Sequence, residues 1–133
     1  EWSRELHSLI LGASSAYAGR DILRESYHLE TWAIKLGRGG YSNYHTHPNF
    51  RLSGVYYVKV PSECNQHAGA INFPDTRAGA IGTPHEMPTL SVKANEGEGI
   101  VFESWCPHYV NPHTSDEPRI SVSWNISFQD PAK

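Results

Sequence analysis

Hydrophobic and polar positions change their period once along this chain, near residue 30. Before that point Trp2, Leu6, Leu9 and Ile10 recur at helical spacing. This predicts a short amphipathic helix over residues 2–11, with Gly12 as its stop. The small-residue stretch GASSAYAG reads as a loop. Arg20 to Tyr27, with Asp21 near its start, reads as a second, weaker helix. Both helices are expected to brace one face of a sheet.

From Glu30 onward the period is two. β-branched and aromatic residues at alternating positions predict strands over 31–36, 41–47, 52–60, 70–73, 90–94, 100–102 and 119–128. Gly37-Arg38-Gly39-Gly40 and Glu96-Gly97-Glu98-Gly99 are turns between them. About seven short strands separated by turn signals argue for a β sandwich or small barrel with flanking N-terminal helices. Residues 76–88 are rich in Gly and Pro and carry no periodicity. A segment of that kind is expected to be a lid or substrate loop.

A length of 133 residues fits one domain, divided into a helical flank over 1–29 and a β core over 30–128. A net charge of −3, with no extended basic cluster, gives no argument for nucleic acid or a membrane surface. Cys64 and Cys106 read as free thiols, and no signal peptide or long apolar run is visible, so a cytoplasmic protein is expected. The chain starts at Glu1 with no Met, so a preceding segment is expected to have been trimmed or left out.

Histidine changes the picture. The eight histidines concentrate at His45/His47, His67/His85 and His108/His113, which makes a metal worth testing. Residues i and i+2 of a strand share a face, so His45 and His47 would aim two imidazoles at one point. Neutral imidazole is the commonest protein metal ligand. His108 follows the 100–102 strand and is the third candidate. Arg119 and Ser121, again i and i+2, would offer a planar guanidinium fork and a hydroxyl to one carboxylate. A metal beside a carboxylate anchor suits a 2-oxo dicarboxylic acid, whose oxo and adjacent carboxylate chelate the metal while the far carboxylate meets Arg119 and Ser121.

The bland readings are specific. His45 and His47 could be surface histidines near a turn, and Arg119 and Ser121 the solvent face of a strand. Trp105 and Trp124 read as core or pocket walls. His67, His85 and His113 read as loop residues, with His85 the one placed to touch substrate.

HTHPN followed by SGVYYVKVP, then INFPDTR, EGEGIVFESWCPHYV and PRISVSWNIS, resemble the double-stranded β-helix oxygenases that depend on Fe(II) and 2-oxoglutarate. The similarity is to a bacterial and phage-type subfamily and runs from about Trp32 to Phe128. The resemblance implies a mainly β, jelly-roll or cupin-like double-stranded β-helix. It implies iron ligation by His45 and His108, and 2-oxoglutarate binding by Arg119 and Ser121. Tyr57 matches a strand tyrosine that contacts 2-oxoglutarate in some relatives. It also implies O2 and a small-molecule or peptide substrate, with hydroxylation as the default outcome.

One position departs from the family pattern of His-x-Asp or His-x-Glu, because His47 stands where the acid should be. Spacing favours a three-histidine site. The other readings are a carboxylate from Asp75 or Glu86, or a His47 that serves the substrate. Two further functions compete. A cupin-type three-histidine dioxygenase would need no 2-oxoglutarate and would have no use for Arg119 and Ser121. A non-enzymatic β-sandwich binding module would leave the histidines incidental.

Overall fold

Ile10, Leu11 and Ser14 are buried on one side of a helix that runs from Trp2 to Ala18 (α1). It passes straight through Gly12, where the sequence predicted a stop. A mid-helix glycine costs only about 1 kcal/mol. Full burial of one aliphatic side chain is worth about 1.5–3 kcal/mol, so the tertiary contacts of Ile10 and Leu11 outweigh it. The stop is Gly19, at φ +66°, where the amides of Gly19 and Arg20 turn back to the carbonyls of Ala16 and Ser15. The predicted second helix is a single 3-10 turn, Ile22–Arg24. Asp21 caps it by accepting the Leu23 amide at 3.1 Å.

Eight strands follow. They are β1 Tyr27–Leu36, β2 Ser42–His45, β3 Leu52–Lys59, β4 Ile71–Pro74, β5 Thr89–Val92, β6 Gly99–Glu103, β7 His108–Val110 and β8 Arg119–Phe128. The computed structural model describes residues 2–77 and 88–129, so most of the expected substrate loop, with His85 and Glu86, lies outside the described residues. The strands form two antiparallel four-stranded sheets, ordered β1-β8-β3-β6 and β2-β7-β4-β5. The double-stranded, mainly β architecture is therefore as expected. Two local expectations fail. β1 begins at Tyr27 rather than near residue 31, because Tyr27 to Glu30 find ladder partners in Phe128 to Asn125. The three-residue strand β7 is too short to carry a detectable alternation.

The alternation of β3 and β8 sorts the larger sheet into two faces. Leu52 pairs with Ile126 and Gly54 with Trp124; Ser53 pairs with Asn125 and Tyr57 with Ser121. The first set faces α1. Leu52, Ile126 and Phe128 join Leu11 and Ile22 in a buried cluster that fastens the helix to the sheet. The second set faces the smaller sheet and carries the polar chemistry.

Gly54 is required by the close approach of Trp124. A Cβ added there would lie 2.1 Å from Cζ2 and 2.4 Å from Cε2 of the indole, which is 1% exposed. Gly54→Ala is expected to destabilise the fold by about 1–3 kcal/mol through overpacking. The melting temperature should fall by about 5–10 °C. Calorimetry checks this, and an unchanged melt would mean that the indole does not rest on this glycine.

Candidate metal centre

His45 is the last residue of β2 and stands opposite His108, the first residue of β7, in the antiparallel ladder. Their rings are 4.3 Å apart, centroid to centroid. His47 is not on a strand, contrary to the sequence reading. Its backbone N–H donates to the Ser104 carbonyl at 2.9 Å, which anchors it to the turn between β6 and β7. It still converges, because Pro48 confines the preceding residue to an extended conformation and side-chain alternation continues past the ladder's end. The His47 ring lies 4.9 Å from His45 and 5.1 Å from His108. One ring nitrogen from each of the three falls within 4.8 Å of the others.

The electrostatics favour neutral rings at His108 and His47. Burial holds the His108 imidazole down to about 4, with the neighbouring His45 and His47 adding to the effect against a backbone hydrogen bond that opposes it. Burial, then His45, also lowers His47. His45 Nδ1 donates to the Asn43 carbonyl at 2.6 Å, and His108 Nδ1 donates to the Cys106 carbonyl at 2.9 Å. Each bond fixes a tautomer that leaves the Nε2 lone pair free, as metal-binding histidines require. Two nitrogens each ~2.1 Å from one ion are at most about 4.2 Å apart, so a bound metal would draw the rings slightly closer.

No described carboxylate belongs to this group. Asp75 faces Arg77 instead, whose Nε donates to Oδ1 at 2.9 Å and to Oδ2 at 3.1 Å. That bonding holds its carboxyl down at about 2.

The three histidines line a cavity of about 170 Å³ between the sheets, and Arg119 and Ser121 line it too. That is below the ~300–1,000 Å³ of drug-sized pockets and suits a small molecule. Ile34, Leu36, Val55 and Val110 make its walls apolar. Arg119 is 2% exposed. Its guanidinium lies 4.8 Å from the Tyr57 ring, and Nη1 donates to Ser121 Oγ at 3.4 Å. Neither Arg119 Nε nor the Tyr57 hydroxyl has a partner among the described residues. Burial lowers the guanidinium's proton affinity and raises that of the Tyr57 phenol.

Other sequence expectations divide. Trp124 is buried, but Trp105 is 67% exposed and is not part of the core. His113 is a buried brace whose Nε2 donates to the Leu36 carbonyl at 3.1 Å. Cys64 and Cys106 are free thiols. Trp32 was overlooked: it lines the cavity, with its ring 6.0 Å from His47. So were Ser53 and Asn125. Their inward register on β3 and β8 was readable, but no sequence rule pairs an Asn with a histidine 78 residues away.

Solved structures share this fold. A 2OG-Fe(II) oxygenase family oxidoreductase from Burkholderia pseudomallei aligns at TM-score 0.59 and 16% identity, over 78% of this chain and 46% of that one. A Pseudomonas putida prolyl-4-hydroxylase aligns at 0.62 and 17%, over 90% and 62%. The epimerase SnoN, in complex with Fe3+, alpha ketoglutarate and nogalamycin RO, aligns at 0.66 and 22%, over 94% and 58%. This chain thus spans about half to three-fifths of the length of these proteins. No curated protein matches it. The family model described as "Putative 2OG-Fe(II) oxygenase" matches residues 30–125, from within β1 to the inward-facing Asn125 of β8. That match covers most of the chain, and the chain belongs to the 2OG-Fe(II) oxygenase family, enzymes that use Fe(II) and 2-oxoglutarate.

Proposed function

We infer that this protein is an Fe(II)- and 2-oxoglutarate-dependent oxygenase whose iron is held by His45, His47 and His108. The single observation that carries the reading is Arg119. This guanidinium is 2% exposed, its Nε has no acceptor, and no carboxylate pairs with it among the described residues, so it is an incompletely compensated buried cation. Such a charge is costly unless a ligand compensates it. The three imidazoles line the same cavity, so an anion at Arg119 and a divalent cation at the histidines would complete the site.

The residues divide the work. Arg119 and Ser121 receive the far carboxylate of 2-oxoglutarate, the guanidinium through charge-assisted hydrogen bonds and the hydroxyl as a further donor. The orphaned Tyr57 hydroxyl adds one more donor. His45 and His108 present Nε2, held in orientation by backbone carbonyls. Three neutral ligands leave the metal's full charge unreduced, which strengthens its hold on an anionic co-substrate. The apolar walls exclude water and so strengthen each of these interactions. When bound, iron and 2-oxoglutarate supply the oxidising chemistry, coupling dioxygen reduction and 2-oxoglutarate decarboxylation to succinate with insertion of one oxygen into substrate. Hydroxylation of a small molecule or peptide is the outcome this reading assigns.

The test is anaerobic. Fe(II) is added to metal-free protein, then 2-oxoglutarate, and the visible spectrum is recorded. A weak charge-transfer band that needs both additions is expected. Stoichiometric iron without the band would favour the cupin-type site, and no iron binding would return the histidines to incidental status.

A further inference from the structure

Ser53 and Asn125, on the inward side of the larger sheet, and Ser104, in the turn after β6, are buried polar residues at 1%, 5% and 0% exposure. They form one chain. Ser104 Oγ and Ser53 Oγ are 2.8 Å apart, Ser53 Oγ donates to Asn125 Oδ1 at 2.7 Å, and Asn125 Nδ2 donates to His47 Nδ1 at 3.3 Å. Ser104 closes the ring, since its carbonyl accepts the His47 backbone amide at 2.9 Å. His47 is thus held by backbone and side chain from one source. A fully connected buried network of this kind fixes geometry.

The polarity of the chain sets His47 apart from its two neighbours. His45 and His108 donate from Nδ1 to carbonyls and keep Nε2 free. His47 instead accepts at Nδ1, so its neutral ring carries the proton on Nε2, the nitrogen that a shared metal would need. The chain is reversible. Turning the Asn125 amide by half a revolution puts Oδ1 against His47, which then donates from Nδ1. Nδ2 donates to Ser53 Oγ, and the Ser53 hydroxyl donates to Ser104, since either serine can be the donor in that pair. One proton leaves Nε2 to solvent as one arrives at Nδ1, and the charge does not change.

We propose that Asn125 is the positioning residue of this centre: its amide, backed by Ser53 and Ser104, decides whether His47 offers Nε2 to the metal. The proposal rests on the three-histidine reading above.

Imidazole nitrogen NMR of 15N-histidine-labelled protein, with and without Zn(II), and anaerobic Fe(II) titration test it. Wild type, Asn125→Asp and Asn125→Leu are compared. In the metal-free wild type His47 should carry its proton on Nε2, and Zn(II) should move it to Nδ1. Asn125→Asp, an acceptor only, should show the Nδ1 proton without metal and bind Fe(II) at least as tightly as wild type. Asn125→Leu should bind about 10–100-fold more weakly, the usual loss of an outer hydrogen-bond partner. A His47 tautomer that is the same in wild type with and without Zn(II) would overturn the proposal, even if a variant fails to fold. So would Asn125→Leu binding within about threefold of wild type. No Fe(II) binding by wild type would overturn the three-histidine reading and this proposal together; wild-type binding that Asn125→Leu matches overturns this proposal alone.

Discussion

Arg119→Met is expected to raise the stability of the ligand-free protein and to abolish its response to 2-oxoglutarate. Two effects of opposite sign follow from one burial. In the absence of an anion, the guanidinium rests against the Tyr57 ring at 4.8 Å and donates to Ser121 Oγ at 3.4 Å, while Nε has no acceptor among the described residues. Removing an incompletely compensated buried charge in favour of an apolar side chain of similar length is stabilising by about 1–4 kcal/mol in comparable cases. Met fills irregular space without a polar atom to satisfy. The same change removes charge-assisted hydrogen bonds worth about 1.5–3 kcal/mol each, so loss of two of them weakens 2-oxoglutarate by about 100-fold or more. Calorimetry of the metal-free protein and titration of 2-oxoglutarate into metal-loaded protein read the two halves. A variant that melts lower and still binds 2-oxoglutarate would mean that Arg119 is structural. The opposed signs matter because a residue kept for the fold alone gives no reason to bury a cation without an anion beside it. Such a trade of stability for function is general at binding sites.

The two strands that place this arginine were the most legible part of the chain. β8 alternates over ten residues, from Arg119 to Phe128. β3 opens with four buried residues in a row. Period two is a strong signal when one face is buried, because a one-residue slip would send the whole apolar set to the wrong side. The constellation of His45, His47, His108, Arg119 and Ser121 was legible for the same reason, although one step of the inference holds differently. His47 was assigned to a strand, and it lies beyond one; Pro48 and the Ser104 carbonyl do what a ladder was expected to do.

What stayed hidden has physical causes. The passage of α1 through Gly12 depends on the buried Leu11 meeting Ile22, Leu52, Ile126 and Phe128, contacts with no trace in local propensity. β7 spans His108–Val110, shorter than any period can resolve, and exists because β2 and β4 flank it. The Ser104–Ser53–Asn125 chain links residues 51 and 72 positions apart, so only the fold assembles it. Gly54 lies inside the strand predicted over 52–60; its need for a bare backbone comes from Trp124 on the neighbouring strand.

His108→Ala is the second change with a large expected effect, and it separates metal binding from folding. His108 is 4% exposed, with Phe102 at 4.7 Å and Phe73 at 5.8 Å between ring centroids. It is therefore the most buried of the three clustered histidines. Deleting a metal ligand should weaken Fe(II) by more than the 10–100-fold typical of outer partners. The readout is thermal. Wild type with free Fe(II) at ~100 times its dissociation constant gains about 2.7 kcal/mol, since only the folded state binds. The variant at the same concentration should gain nothing measurable. The truncation also leaves a cavity, so the metal-free variant should melt somewhat below wild type near neutral pH. Acid gives the control. Burial holds folded His108 down to about 4, so the unfolded chain takes up its proton first. Stability that is present above the ordinary histidine range is then lost as pH falls through that range toward 4. Without His108 the acid limb of metal-free stability should be shallower, and the two proteins should approach one another as pH falls. A variant that keeps the full thermal gain with Fe(II) would remove His108 from the ligand set; one that loses the gain but keeps the steep acid limb would separate its metal role from its burial.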